Sequence, residues 1–580
     1  MLVQRYRWKN KQLREHIDVL NGDLKPTKIL KNAVYLHSVL KKWVTSHIWI
    51  YQDRIIYCGE QLPENLDGCE VTDCRHYFLV PGYIEPHVHP FQLYNPHSFA
   101  HYASQTGTTT FINDNLMLFL LMNKKKAFSL LDELKKLPFS MFWWARFDSQ
   151  TEMQREETVF SHNEVKSWIN HEDVVQGGEL TSWPRLLDGD DMILHLMQEA
   201  KRVNKVVEGH LPGASEKTLA KLALLGIDGD HEAMTGKDVY MRLMQGLAVT
   251  LRNSSIRPDL DKLLDEMKEY EIENYSEMML TTDGSTPGFY ENGVLDDLIS
   301  KAIESGIPLI DAYHMASYNV ARHYRISHHH GMIAAGRVAN INFLESKENP
   351  TPAGVMAKGE WVKTFQGEQA DVPAPDWKKF GLAPLNIEWE LTNHDLQFSM
   401  PFGIEMVNEV ITKPYSVGID ASETALSENH DECFLMLIDR NGKWRISTML
   451  KGFAASIKGF VSSFSNTGDI ILIGKDKRDM MHAFNRMKEI GGGIVLSENQ
   501  EILHEVPLPV GGIMSDKKME DLIEEEKEMK ELLFARGYSF NDPVYTLLFL
   551  QSTHLPYIRV TQRGIYDVMK KTVLFPTIMR

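Results

Sequence analysis

Tyr77-Phe78-Leu79-Val80-Pro81-Gly82-Tyr83-Ile84-Glu85-Pro86-His87-Val88-His89 joins a short apolar run to two imidazoles one residue apart. If residues 77–80 form a buried strand, His87 and His89 emerge together just past its end. Alternate residues of an extended chain share a face, so both rings can reach one metal ion. A bare His-x-His also describes two loop histidines making ordinary hydrogen bonds. What decides between these readings is whether the rest of the chain supplies further ligands.

Outward from this stretch, between about residue 75 and residue 330, β-branched or aromatic runs alternate with amphipathic helical stretches, the pattern of parallel strands joined by crossover helices. Strands are expected over 77–80, 108–113, 141–144, 174–178, 205–208, 247–251 and 278–282, and helices over 126–137, 190–203, 215–224, 260–270 and 294–305. The helix at Ser215 opens on a capping hydroxyl after Pro212-Gly213, and the one ending at Ser305 stops at Gly306 before Pro308. The economical closure is an α/β fold, a metal-dependent (β/α)8 TIM barrel over 75–334.

Residues 1–27 read as an N-terminal extension. Ile48-Trp49-Ile50-Tyr51, Arg54-Ile55-Ile56-Tyr57 and Ala339-Asn340-Ile341-Asn342-Phe343-Leu344 predict a small β-domain split between 28–74 and 335–370. From 375 to 580 the periodicity changes to alternating runs at 433–438 and 469–473, then helices at 478–490 and 519–534: a separate α+β domain. The acidic run Glu524-Glu525-Glu526 reads as a solvated helix face. Trp143 and Trp144, ending a strand, read as core or pocket wall, with stacking of a planar base on Trp144 as the alternative.

A formal net charge of −17 argues against a phosphate-backbone partner, whose binding rests on clustered Lys and Arg, so a small-molecule substrate is expected. Four cysteines, Cys58, Cys69, Cys74 and Cys433, are too few and too irregularly spaced for a disulfide framework or a thiolate zinc site. The charged stretch from Met1 to His16 lacks the apolar region of a signal peptide, and the longest apolar run, 116–122, falls far short of the ~18 residues of a membrane span. A cytoplasmic, homo-oligomeric protein with no membrane or nucleic-acid partner is the expectation. No phosphate-binding glycine motif and no Gly-x-Ser-x-Gly nucleophile appears.

The chemistry lies in the strand ends. His87 and His89 follow the first expected strand, Glu179 follows 174–178, His210 follows 206–209, His231 follows 226–230, and Asp283 closes 278–282. In an α/β barrel these ends converge on one face, so four imidazoles and two carboxylates meet there. Imidazole with carboxylate suits borderline divalent ions such as zinc, manganese or iron. Glu179 suits a bridging role between two ions. A metal lowers the pKa of its water to about 7, making hydroxide available, and Asp283 is then the proton shuttle.

The order His87-x-His89, Glu179, Gly209-His210-x-Pro212-Gly213, Asp230-His231-Glu232 and Thr282-Asp283 resembles the amidohydrolase superfamily, and within it the adenine deaminase family. The likeness runs from about residue 28 to residue 575. It includes Gly331-Met332-Ile333-Ala334-Ala335-Gly336-Arg337, Leu508-Pro509-Val510-Gly511-Gly512-Ile513-Met514-Ser515-Asp516, Asp542-Pro543 and Thr561-x-Arg563-Gly564-Ile565-Tyr566-Asp567. The resemblance implies a β-domain, a metal-dependent barrel, a C-terminal domain, and hydrolysis of adenine to hypoxanthine and ammonia with manganese or iron, one ion or a pair. In such a reaction Asp283 relays the proton to the departing ammonia. Glu232 either protonates a ring nitrogen or hydrogen-bonds a ligand.

The departures are specific. Phe91 stands where the family pattern has a glutamate, Asn113-Asp114-Asn115 replaces a His-Glu pair, two successive aspartates become Asp283-Gly284, and a histidine-containing stretch reads Ser463-Phe464-Ser465-Asn466-Thr467. They leave open another amino-heterocycle or a cyclic amide as substrate, or a non-catalytic homologue. Cyclic amidohydrolases commonly bridge their metals with a carboxylated lysine, and Glu179 at that position counts against that class.

Overall fold

In the computed structural model, which describes residues 8–580, eight parallel strands lie side by side in chain order. They are β1 (Tyr83–Val88), β2 (Thr108–Asn113), β3 (Ser140–Ala145), β4 (Val174–Leu180), β5 (Val206–Gly209), β6 (Gly229–Asp230), β7 (Ala248–Arg252) and β8 (Met278–Thr281). Each is buried on both faces, as parallel strands under crossover helices must be. Alternation sorts the side chains. Ile84, Ile112, Trp144, Val175, Val206, Ala248 and Met279 pack together inside the barrel, while Phe111, Trp143, Val174 and Val207 face the surrounding helices.

One expected strand belongs elsewhere. Phe78–Pro81 pairs with Lys28–His37 and Ile341–Leu344 in the small β-sheet, so the barrel begins one strand later, at Tyr83. Pro81 and Gly82 break the apolar run between the two sheets, and the Gly82 N–H donates to Asn340 O at 2.9 Å. His87 is therefore the fifth residue of β1 and His89 lies just past its end.

Between β8 and β1 no paired register is found among the described residues, and a side chain spans the seam instead. The buried Glu85 carboxylate accepts from Thr281 Oγ1 (2.5 Å), Thr282 N (3.1 Å) and Thr282 Oγ1 (2.9 Å). That clasp ties the segment carrying Asp283 to the strand carrying His87.

The helices end where local chemistry dictates. Ser215 caps Glu216–Leu225 by accepting from the Thr218 N–H, and Gly226, at φ +110°, closes it. Strands flanking the barrel build the small sheet, ordered Glu360–Lys363, Gly354–Ala357, Ile341–Leu344, Phe78–Pro81, Lys28–His37, Lys42–Tyr51 and Arg54–Gly59, with Glu70–Asp73 pairing in parallel with Lys28–His37. Of the N-terminal extension read over 1–27, residues 1–7 lie outside the described residues, and a helix spans Asn10–Asn21.

The C-terminal part carries a nine-stranded mixed sheet, the helices Lys477–Glu489 and Met519–Ala535, and a three-stranded sheet from Ile558 onward. It covers the barrel mouth. Tyr545 Oη donates to Gly284 O at 3.0 Å, Thr286 Oγ1 to Asp542 Oδ2 at 2.9 Å, and Thr151 Oγ1 to Gln551 O at 2.7 Å. The acidic run is not wholly solvated, because Glu526 is fully buried. It accepts from the Gly288 N–H at 2.5 Å and pairs with Lys530 at 2.7 Å, docking its helix on the turn that follows β8. Among the described residues no helix is long and apolar enough to cross a membrane.

Candidate metal centre

The strand ends bring all six expected side chains into one cluster. His87 Nε2 lies 3.8 Å from Glu179 Oε2 and 3.4 Å from Asp283 Oδ1, and His89 Nε2 lies 4.0 and 3.6 Å from the same two atoms. The other oxygen of Glu179, Oε1, lies 2.8 Å from His210 Nδ1 and 3.4 Å from His231 Nε2. Three overlapping donor sets result: His87, His89 and Glu179; His87, His231 and Asp283; Glu179, His210 and His231. Within each, the ligand atoms lie within 4.8 Å of one another. Glu179 thus turns one oxygen to each histidine pair, the disposition a bridging carboxylate needs.

The surroundings fit a cation. His87 Nε2 is buried with no hydrogen-bond partner, an orphan that a metal would satisfy. Burial alone would raise Glu179, yet Arg146 and the histidines His210 and His231 hold its carboxyl well below the usual range. Burial is likewise outweighed at Asp283, where Arg252 and then His89 keep the carboxyl ionised. The imidazoles answer the same field. Burial works to lower His89 and His231, but neighbouring carboxylates, Asp114 for the first and Glu179 for the second, raise them to about 10 and about 9. Two fixed carboxylates demand positive charge here, and a divalent ion on neutral imidazoles supplies it. His87 is pushed the other way, by burial first and by His231 next.

Residues to which the sequence reading gave no role hold these side chains in place. His89 Nδ1 faces Asp114 Oδ2 at 2.9 Å, which leaves Nε2 free to point into the cluster. Asp114 is in turn gripped by Arg146 through Nε (2.8 Å) and Nη2 (2.5 Å), and Arg146 Nη2 also reaches Glu179 at 2.9 Å. Burial opposes this too, but Arg146 holds Asp114 down to about 2. The buried Asp230 accepts from Leu211 N (2.8 Å), Glu232 N (3.1 Å) and Arg242 Nε (2.5 Å), locking the segments that bear His210 and His231. Asp114 and Arg146 immediately follow β2 and β3, and Arg252 ends β7. The strand-end rule that gathered the six candidate side chains would have found these as well.

Glu232 is clasped by Arg252 and by Arg257 at 3.3 Å. Burial works against its charge, but Arg252 and then His210 hold it down to about 2. Trp144 lies beneath the cluster, stacked on His87 with ring centroids 4.5 Å apart, inside the barrel rather than on a pocket wall. Stacking of a base on Trp144 is therefore closed off by His87 itself. Phe91 lines the cavity beside His89, and Asn466, from the altered C-terminal stretch, lines it from the covering domain.

That cavity has a volume of about 380 Å³ and opens directly onto His89, Glu179, His210 and Asp283. A second, wider chamber of about 720 Å³ adjoins it and shares Gln150, His210 and His554 as lining.

Two families match this chain: "Amidohydrolase family" over residues 78–362 and "Adenine deaminase C-terminal domain" over residues 409–572. A Halalkalibacterium halodurans protein named "Putative adenine deaminase BH0637" is 57% identical over 582 residues, covering 100% of both chains. A Bacillus velezensis protein named "Adenine deaminase" is 25% identical over 574 residues, covering 96% of this chain and 98% of its own. Among solved structures, β-aspartyl dipeptidase from Fervidobacterium islandicum AW-1 is 17% identical, covers 60% of this chain and 99% of its own, with a TM-score of 0.47.

Proposed function

The chain belongs to the adenine deaminase family of the amidohydrolases, and from that premise we propose that it hydrolyses adenine to hypoxanthine and ammonia. The observation that carries this reading is Glu179 dividing its two oxygens between two histidine pairs at the floor of a cavity roofed by the C-terminal domain. His87, His89, Glu179, His210, His231 and Asp283 would hold one or two divalent ions, manganese foremost with iron or zinc as alternatives. When bound, such an ion supplies the Lewis acidity that makes water nucleophilic at neutral pH.

The chain's own groups do the rest. Asp283 Oδ2 is held by Arg252 Nη1 at 2.8 Å, which leaves Oδ1, facing His87 and His89, to take the proton from the attacking water. The new C–O bond forms first, with the ring C=N electron pair passing to the ring nitrogen, and the exocyclic C–N bond then breaks as the same carboxyl returns its proton to the departing ammonia. Glu232, ionised between two arginines, is assigned to positioning: its Oε1 lies 3.6 Å from His210 Nδ1 and 3.7 Å from His231 Nε2. The apolar walls and the covering domain exclude bulk water from this exchange.

Ammonia release from adenine by the purified, metal-reconstituted protein, measured across purines and pterins, tests the proposal. Turnover of cyclic amides with none of the amino-heterocycles would overturn it. A cytoplasmic, homo-oligomeric state and a small molecule as the only partner belong to the same proposal. Light scattering of the holoenzyme checks the oligomer.

A further inference from the structure

Asp283 is tied down at every polar atom except the one that faces the histidines. Its N–H donates to Thr281 Oγ1 at 3.0 Å, and its Oδ2 accepts from Arg252 Nη1 at 2.8 Å. Both partners belong to the barrel, on β8 and β7. The carbonyl is met from elsewhere. Tyr545 Oη, in the C-terminal domain, lies 3.3 Å from Asp283 O and 3.0 Å from Gly284 O. No other donor meets either carbonyl among the described residues. Oδ1 is left facing His87 and His89.

The backbone at this point needs such a tie. Asp283 and Gly284 are both left-handed, at φ +55° and +59°, and a non-glycine residue persists in that conformation only where its surroundings over-determine it. Without the hydroxyl the peptide between them is free to turn over, since glycine on its far side offers little resistance, and the Asp283 side chain follows its backbone. The tie is itself fixed by Asp542, which is fully buried. Asp542 Oδ1 accepts from the Val544 and Tyr545 N–H groups at 3.0 Å each, and Oδ2 accepts from Thr286 Oγ1 at 2.9 Å. One carboxylate therefore caps helix Pro543–Phe549 and fastens it to the chain three residues past Asp283. That arrangement accounts for Asp542-Pro543, a motif of the sequence that the metal centre alone does not explain. Adhesion between the domains does not require the Tyr545 hydroxyl, because Thr286 with Asp542 and Thr151 with Gln551 already join them.

We propose that Tyr545 is a positioning residue for the reaction: from the covering domain, its hydroxyl holds the Asp283 and Gly284 carbonyls and so keeps Asp283 Oδ1 aligned between the attacking water and the leaving amine. The inference rests on the reading of Asp283 as the proton shuttle. It gives the C-terminal domain a share in the centre itself as well as in its cover. The barrel fixes Asp283 at N–H and Oδ2, and the second domain fixes it at the carbonyl.

The test uses the full-length, metal-loaded protein with Tyr545→Phe, which deletes the hydroxyl and keeps the ring, beside Thr286→Val, which removes a bond of the same domain contact and leaves the Asp283 carbonyl its donor. For each, kcat and KM for ammonia release from adenine, manganese per protein and melting temperature are measured. Tyr545→Phe is expected to lose about tenfold in kcat with KM within about twofold of wild type and the metal complement intact. Thr286→Val is expected to melt lower and to keep more than about half of the wild-type kcat. Placing para-aminophenylalanine at position 545 restores an N–H donor at the same reach and should recover most of the loss. Wild-type kcat in Tyr545→Phe, a loss that follows missing metal, or an equal loss in Thr286→Val would overturn the positioning role while leaving the deaminase reading intact. A wild-type protein that releases no ammonia from any aminopurine would overturn both.

Discussion

Gly284 offers the sharpest test of how the centre is held. It follows Asp283, and both adopt left-handed backbone, at φ +59° and +55°. A β-carbon built on Gly284 would stand 2.4 Å from His89 N, 2.7 Å from His89 Cβ and 3.0 Å from His89 Cα. Ordinary contact begins at 3.4 Å, and two of these three atoms are backbone. Gly284→Ala therefore requires the end of β1 to retreat by about 1 Å, enough to cost on the order of 100-fold in rate at a positioned catalytic group. The left-handed conformation adds a further stability cost of about 1–2 kcal/mol. His89 cannot yield freely, because its ring is tied to Asp114 on one side and the Glu85 clasp fixes β1 against β8 on the other. The same reasoning covers Gly284→Asp, which restores the family's paired aspartates and is expected to be worse rather than better. The assay is kcat for ammonia release under saturating manganese, with metal per protein measured in parallel. Gly284→Ala keeping more than about half of the wild-type kcat with a full metal complement would refute the argument.

Removing the orienting carboxylate in Asp114→Asn should weaken metal binding about 10- to 100-fold, read by competition against a chelator, and unchanged affinity would show that His89 needs no such partner. Stripping metal with a chelator should abolish turnover and lower the melting temperature, since an ion bound only by the folded cluster stabilises the native state by mass action; an unaffected melting temperature counts against a metal held by these residues. Asp469 gives a prediction in pH. Burial pushes its carboxyl up to about 6, so folding favours the neutral acid and stability falls as pH rises from the unfolded value near 3.8 towards 6, then levels. Asp469→Asn keeps an acceptor for Thr467 Oγ1 and Gln562 Nε2 and should gain up to about 3 kcal/mol at pH 7.5 but nothing near pH 3.5, seen as a melting-temperature difference that grows over that interval. A difference independent of pH would place the ionisation elsewhere.

The convergence of these six side chains was legible because a barrel converts strand ends into one surface, so residues scattered from His87 to Asp283 need only share a position in the repeat. The boundary of the first strand was not. The 77–80 run is the more apolar of the two, since Glu85 and His87 interrupt Tyr83–Val88, and the chain's choice to pair it with Lys28–His37 depends on contacts some forty residues back that no local pattern carries. The acidic run failed for a related reason. Three adjacent glutamates on a helix point in three directions, and only the docking of that helix decides that Glu526 turns inward to the Gly288 N–H. Asn113-Asp114-Asn115 shows the deeper limit. Set beside the family pattern, the stretch reads as the loss of a His-Glu pair, yet in the fold Asp114 holds His89 and is itself held by Arg146. A substitution away from a pattern says which group has gone. Only side-chain direction, set by the twist and register of β2 against β1 and β3, says what the new group does, and here it supplies the charge that aims the His89 ring.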